Sequence, residues 1–230
     1  MVTPDPWGLA GRRLYLCTPD RPDLETFVEA CIGGGVDVVQ LREKHLDDRQ
    51  LSERALVVHR ICRRHGVPFI LNDRPDLAVA IGADGVHVGQ DDVSPAEARR
   101  LVGPDAIVGL STHATSELGT AIGHPVSTTT TAGDPPVPAP VQYLSAGPVT
   151  ATPTKPGRPG TGIDYVREAV TRSPWPVWVT GGVDPTTVGA MAAAGARHFV
   201  VVRWLTEADD PGAHARRLRR AIEDAVDRCS

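Results

Sequence analysis

The sequence predicts a single (β/α)8 barrel, and three observations predict it. Short β-branched segments alternate with longer amphipathic ones along the whole chain, at roughly 25-residue intervals. The short segments are apolar for most of their length, as strands buried on both faces must be. Nearly every one of them ends in polar or charged residues. A doubly wound open sheet fits less well. No GxGxxG follows the first strand, and an open sheet would gather its polar ends at one switch point.

Residues 1–12 are Pro-rich and read as an N-terminal extension. Arg13–Thr18 is the first strand. Asp23–Gly33 follows as a helix, with Leu24, Phe27, Val28 and Cys31 at helical spacing, and Gly33-Gly34-Gly35 stops it. Val36–Leu41 is the second strand, and Asp48–His65 a helix with Leu51, Ala55, Val58, Ile61 and Cys62 on one face. Pro68–Leu71 is the third strand, followed by a short helix, Pro75–Ile81, with proline at a tolerated early position. Gly85–Gly89 is the fourth strand. Ser94 caps the next helix, through about Leu101, with Glu97 completing a capping box.

Ala106–Leu110 is the fifth strand, and a weak helix runs from about Ser116 to Ile122. The regularity then breaks. Residues 125–140, PVSTTTTAGDPPVPAP, hold almost no core-forming side chains and read as a flexible surface insertion. Val141–Ala146 restores the pattern as the sixth strand, with a polar loop to Gly162 and a helix over Ile163–Thr171. Val177–Thr180 and His198–Val202 are the last two strands. Helices over Thr186–Ala194 and about Pro211–Arg228 complete one domain spanning 1–230.

Composition narrows the partners. Hydrophobic residues make up 41% and aromatics only 4%, so the core is built from Val, Ala, Leu and Ile. A net charge of −4 argues against nonspecific binding to nucleic acid or to an anionic membrane. Any basic site is local. No segment reaches membrane-spanning length, the start lacks signal-peptide order, and the four cysteines form no CxxC pair. A reducing cytoplasm is the expectation. Oligomeric state is not legible, although barrels of this kind often self-associate.

In a barrel all C-terminal strand ends share one bowl. The second strand ends in Gln40-Leu41-Arg42-Glu43-Lys44, and the whole run is a candidate substrate-binding segment. Arg42 and Lys44 are two apart, so an extended chain aims both the same way. A forked guanidinium beside a compact ammonium suits a phosphate or pyrophosphate. Asn72-Asp73 and Asp92 end neighbouring strands, and two carboxylates with an amide suit Mg²⁺. Asp91 rivals Asp92, and spacing does not separate them. Thr152, Thr154 and Lys155 offer hydroxyls and an ammonium in the long loop. Gly181-Gly182 and the backbone at Val202-Arg203 occupy the corner where such barrels bind phosphate. His87 alternates with core residues and reads as a packed barrel histidine. His113 has no evident partner. There is no nucleophile elbow and no base with an orienting group. The inventory favours expulsion of a phosphorylated leaving group, with a second phosphorylated substrate nearby.

At these residues the chain resembles the thiamine-phosphate synthase family. The matching runs are QLREK (40–44), LND (71–73), ADGVHVGQDD (83–92), GLSTH (109–113), GPVTATPTK (147–155), GGV (181–183) and AGARHFVVVR (194–203). The resemblance implies joining of a hydroxymethylpyrimidine diphosphate to a thiazole phosphate, with release of pyrophosphate. It implies that Gln40, Arg42, Lys44, Asn72, Ser111 and Lys155 hold the diphosphate, and that Asp73 and Asp92 bind Mg²⁺. Thr152, Thr154, Gly182 and the Val202-Arg203 backbone would hold the thiazole phosphate. It also implies a dissociative route, in which the aminopyrimidine stabilises a methylene cation.

Three departures from the family pattern stand out. The 125–140 insertion suggests partial loss of the fifth helix. Ser145-Ala146 replaces a glycine-containing turn, and Arg203 stands where many members have serine. Three rival readings remain at this level. A thiazole tautomerase of the same superfamily places a histidine where Pro148 stands. A Schiff-base aldolase would need a neutral Lys44 or Lys155, which their polar settings disfavour. A non-catalytic phosphate-ligand sensor would use the insertion as a partner-binding arm.

Overall fold

The computed structural model describes residues 6–123, 140–152 and 159–229. Eight parallel strands close a barrel in sequential order. They are β1 (Leu14–Thr18), β2 (Val38–Leu41), β3 (Phe69–Asn72), β4 (Gly85–Val88), β5 (Ile107–Thr112), β6 (Tyr143–Ala146), β7 (Val177–Thr180) and β8 (His198–Val201). The helices around them are α1 (Leu24–Gly33), α2 (Asp48–His65), α3 (Pro75–Ile81), α4 (Pro95–Val102) and α5 (Thr115–Gly123). They continue with α6 (Gly162–Arg172), α7 (Val188–Ala193), α8 (Arg203–Thr206) and α9 (Pro211–Asp227). The expected element order is therefore present, with two additions among the described residues, a 3-10 turn at Leu9–Gly11 and the single-turn α8. No helix among the described residues is long and apolar enough to cross a membrane.

The fifth helix is not lost: α5 runs for nine residues. Leu118 and Ala121 bury its inner face, and that burial holds it whatever follows in sequence. Residues 125–139 of the expected insertion lie outside the described residues. Ser94 does cap α4, accepting the Glu97 amide at 3.2 Å. The full reciprocal capping box belongs to α2 instead, where Asp47 and Gln50 satisfy each other's backbone N–H.

Side chains along each strand divide by parity. Leu14 and Leu16 of β1 enter the shell between strands and helices, while Tyr15 and Cys17 point into the barrel. In-register pairing carries that parity around the ring: Cys17 sits beside Gln40, Asn72 beside His87, and Ser111 beside Ser145. All these residues are inward and near the C-terminal ends. Toward the N-terminal end the interior is apolar, with Val38, Ile70, Ile107 and Trp178. Residues 7–12 are not a loose extension. Leu9 is buried in that interior cluster and Trp7 packs against it. Trp7 Nε1 donates to the Asp105 carbonyl at 2.9 Å, and Arg12 Nη1 to the Asp37 carbonyl at 2.8 Å. The segment plugs one end of the barrel, and the cavity into the interior opens at the opposite rim.

Candidate active site

A cavity of about 620 Å³ opens at the C-terminal rim. It reaches from loop residues down to the inward side chains of the strands. One wall is built from side-chain charge. Arg42 and Lys44 continue the inward parity of Gln40 past the end of β2, and both line the cavity. Lys44 Nζ lies 2.8 Å from Asp73 Oδ2. Asp73 has φ of 61°, a strained conformation for a residue with a Cβ, and its N–H is tied to the His87 carbonyl at 2.8 Å. The strained turn sets the carboxylate over the rim instead of letting it follow the strand.

Asp92 faces Asp73. Burial, and then the adjacent Asp73 carboxyl, push its carboxyl above the ordinary range, while the Gly89 N–H at 2.8 Å opposes that shift. Two carboxylates sharing one place, with a lysine beside them, leave a demand for positive charge. Asp91 also lines the cavity, but it is Asp92 that pairs with Asp73. Among the described residues no cluster of three or more His, Cys, Asp or Glu forms a metal cage. A two-carboxylate site suits an ion that keeps water and takes further oxygen from a substrate, as Mg²⁺ does.

The wall across the cavity is built from backbone. Gly181 and Gly182 follow β7 with φ of 94° and 76°, and a Cβ on Gly182 would overlap Thr150 Oγ1. The Thr187 hydroxyl fixes this turn by donating to the Gly182 carbonyl at 2.6 Å. Val202 caps α8, and Val202, Arg203 and Trp204 line the same corner. Arg203 is exposed at its edge. Thr152 lines the cavity as well, whereas Thr154 and Lys155 lie outside the described residues.

Not every residue of the 40–44 run turns to the cavity. Leu41 is fully buried in the outer shell, because it has the opposite parity from Gln40. Glu43 turns back and accepts the N–H groups of Lys44, His45 and Asp20. That role holds the loop carrying Arg42 and Lys44, and the three amides help keep its carboxyl low against the effect of burial. Strand periodicity alone would have removed both side chains from the candidate set. His113 does have a partner: Glu117, four residues on, accepts from its backbone N–H at 2.7 Å and lies 3.0 Å from its Nδ1. His87 is buried as a packed barrel histidine, yet it also reaches the cavity, through Ser111 Oγ at 2.9 Å.

The sequence reading passed over several lining residues. Tyr15, Tyr143, Ser145 and Thr180 are inward by parity and line the cavity, the two tyrosines at its deep end. Trp204, Glu207 and His214 line the rim beside α8. The first group had a signal, since each lies an even number of residues from another inward position. The rim group had none, because its placement depends on how α8 folds back toward α9.

The thiamine monophosphate synthase family profile matches residues 14–205, which covers the whole barrel from β1 to α8. The chain belongs to this family. It is 40% identical over 235 residues to the thiamine-phosphate synthase of Mycobacterium sp. (strain KMS), covering 95% of this chain and 96% of that one. It is 42% identical over 222 residues to the thiamine-phosphate synthase of Thermobifida fusca (strain YX), covering 95% of each. Among solved structures, the thiamine phosphate pyrophosphorylase of Pyrococcus furiosus superposes with a TM-score of 0.78 at 25% identity, over 93% of this chain and 96% of that one. The family's matched span includes both walls of the cavity.

Proposed function

We propose that this thiamine-phosphate synthase joins a hydroxymethylpyrimidine diphosphate to a thiazole phosphate across the two walls of the rim cavity. One observation carries the reading. Arg42, Lys44, Asp73 and Asp92 converge on one side of the cavity, and the Gly181-Gly182 turn and the start of α8 face them across it. A diphosphate belongs at the charged wall, and a monophosphate at the backbone wall.

Gln40, Asn72 and Ser111 lie below the charged wall and would orient the pyrimidine and its bridging oxygen. Arg42 and Lys44 neutralise the diphosphate, and Lys155 joins them on the strength of the family resemblance. Mg²⁺ held by Asp73 and Asp92 would supply further charge neutralisation at the diphosphate oxygens. The C–O bond between methylene carbon and diphosphate breaks with its electron pair on the leaving oxygen. The thiazole nitrogen then shares its lone pair with the methylene carbon. The bond that forms and the bond that breaks involve substrate atoms only, so the protein needs no strong base; it aligns the rings and excludes competing water. Thr152, Thr154, Gly182 and the Val202-Arg203 backbone hold the second substrate's phosphate.

The tautomerase alternative needs an acid–base group at position 148. Pro148 lines the cavity there and has no titratable group. The aldolase alternative needs a lysine free to attack a carbonyl, and Lys44 Nζ instead lies 2.8 Å from Asp73 Oδ2 in an ion pair.

The test is pyrophosphate release from the purified protein given both substrates, with Mg²⁺ or with chelator. Release that requires both substrates and the ion supports the reading. Full turnover in chelator, or binding of both substrates without release, overturns it.

A further inference from the structure

Beneath the charged wall a chain of hydrogen bonds crosses the barrel from β1 to β5. Cys17 Sγ donates to Gln40 Oε1 at 3.2 Å. Gln40 Nε2 donates to Tyr15 Oη at 2.8 Å. Tyr15 and Tyr143 hydroxyls meet at 3.0 Å, Tyr143 Oη meets His87 Nδ1 at 2.9 Å, and His87 Nε2 meets Ser111 Oγ at 2.9 Å. Gln40, His87 and Ser111 are buried, and the two tyrosines are fully so. Gly109 makes room for this arrangement: any Cβ there would overlap the Tyr143 ring. Tyr143 also stacks on His87 with centroids 5.6 Å apart, and packs edge-on against Tyr15 and Trp178.

The donors can be followed in one direction. An amide N–H can only donate, so Tyr15 Oη accepts from Gln40. Burial pushes both tyrosines above their ordinary range, so each keeps its proton. In the reverse direction the buried Tyr15 hydroxyl would accept twice and its own proton would have no acceptor. The direction in which every hydroxyl both accepts and donates sends the Tyr15 proton to Tyr143, and the Tyr143 proton to His87 Nδ1. His87 must carry its own proton on Nε2, which it gives to Ser111 Oγ. Ser111 Oγ accepts that proton, and its own hydroxyl proton is left to point into the cavity that Ser111 lines.

We propose that Tyr15, Tyr143 and His87 are positioning residues: their one-way donor chain locks the Gln40 amide and aims the Ser111 hydroxyl as a donor toward the pyrimidine diphosphate. This rests on the placement of that substrate at Gln40 and Ser111 proposed above. The chain couples two contacts on opposite sides of the ring, so breaking it at one hydroxyl loosens both.

Tyr143→Phe is the probe, because it removes one oxygen and keeps the ring that fills the space beside Gly109. Two readouts are combined. Nitrogen-15 NMR of the substrate-free protein reports which His87 nitrogen carries the proton. Steady-state kinetics then reports KM for each substrate separately. The expected result is a pure Nε2–H signal in the wild type and a mixture in Tyr143→Phe. KM for the pyrimidine diphosphate rises about tenfold, the scale of one neutral hydrogen bond, and KM for the thiazole phosphate stays unchanged. Adding Tyr143→Phe to Ser111→Ala then costs much less than it does alone. An unchanged tautomer signal, or fully additive losses, overturns the proposal. A switched tautomer with a rise only in the thiazole KM supports the donor chain and overturns the substrate placement. If Tyr143→Phe does not fold, Tyr15→Phe makes the same break one bond earlier and is read in the same way.

Discussion

The two walls of the cavity are built on different principles. The wall over β2–β4 is made of side chains: Arg42, Lys44, Asp73 and Asp92. The wall over β7 and β8 is made of main chain, with two positive-φ glycines and the first residues of a four-residue helix. Both would bind phosphate groups, but they should fail differently. Removing a charge from the first wall removes the interaction outright. The second wall has few side chains to remove, so it is broken by adding atoms.

The largest effect is expected at Arg42. Arg42→Ala should lower kcat by about a hundred- to thousandfold, the range seen when a preorganised electrostatic contact to the developing charge is lost. Arg42→Lys should recover only part of this, since the charge returns without the fork. A fall in kcat under single-turnover conditions checks it. A change confined to KM would place Arg42 in ground-state binding only.

Asp73→Asn comes next. It should weaken divalent-ion binding by about tenfold or more, as loss of one of two carboxylates from a hard-ion site must. Mn²⁺ titration followed by electron paramagnetic resonance reads this without turnover. Unchanged Mn²⁺ affinity would remove Asp73 from the metal site.

Gly182→Ala tests the backbone wall. The added Cβ meets Thr150 Oγ1, and φ of 76° suits alanine poorly. KM for the thiazole phosphate should rise by about tenfold, the equivalent of the roughly 1–2 kcal/mol of left-handed strain plus local displacement. KM for the pyrimidine diphosphate should hold. Equal rises in both would mean that the two walls are not separate sites.

The smallest effect lies outside the cavity. Arg74 bridges Asp48 of α2 and Asp76 of α3 at 2.5 and 2.7 Å. Its hydrogen bonds hold both carboxyls below their ordinary range. A depressed folded-state value means the contribution is complete above the unfolded carboxylate value of about 4 and fades as pH falls through the folded one. Arg74→Ala should therefore lower the melting temperature slightly near neutral pH, and progressively less below about pH 4. A loss that persists unchanged in acid would show that Arg74 acts through packing instead of charge. Turnover should be untouched, which separates the clamp from both walls.

The contrast also explains what could be read in advance. Charge chemistry is written in residue types, so Arg42, Lys44, Asp73 and Asp92 were visible as candidates from position along the chain. Parity was equally available, and applying it would have turned Leu41 and Glu43 away from the cavity. The short α8 was invisible, because four residues between a strand and a proline-led helix have no periodicity to detect. Nothing local in sequence marks Tyr15 and Tyr143 as partners. Their hydroxyls meet only because β1 and β6 lie across a closed ring, 128 residues apart in the chain.

The sequence by itself determined the alternation of strands and helices, the barrel class, the cationic strand end and the family. Those depend on local periodicity, on residue type and on the order of short motifs. Tertiary structure alone decided which of Asp91 and Asp92 faces Asp73, that α5 persists, that residues 7–12 close the barrel, and that a single donor chain links Gln40 to Ser111. Each of these turns on a distance between groups remote in sequence. Such distances are set when the ring closes and its register is fixed, and no local pattern encodes them.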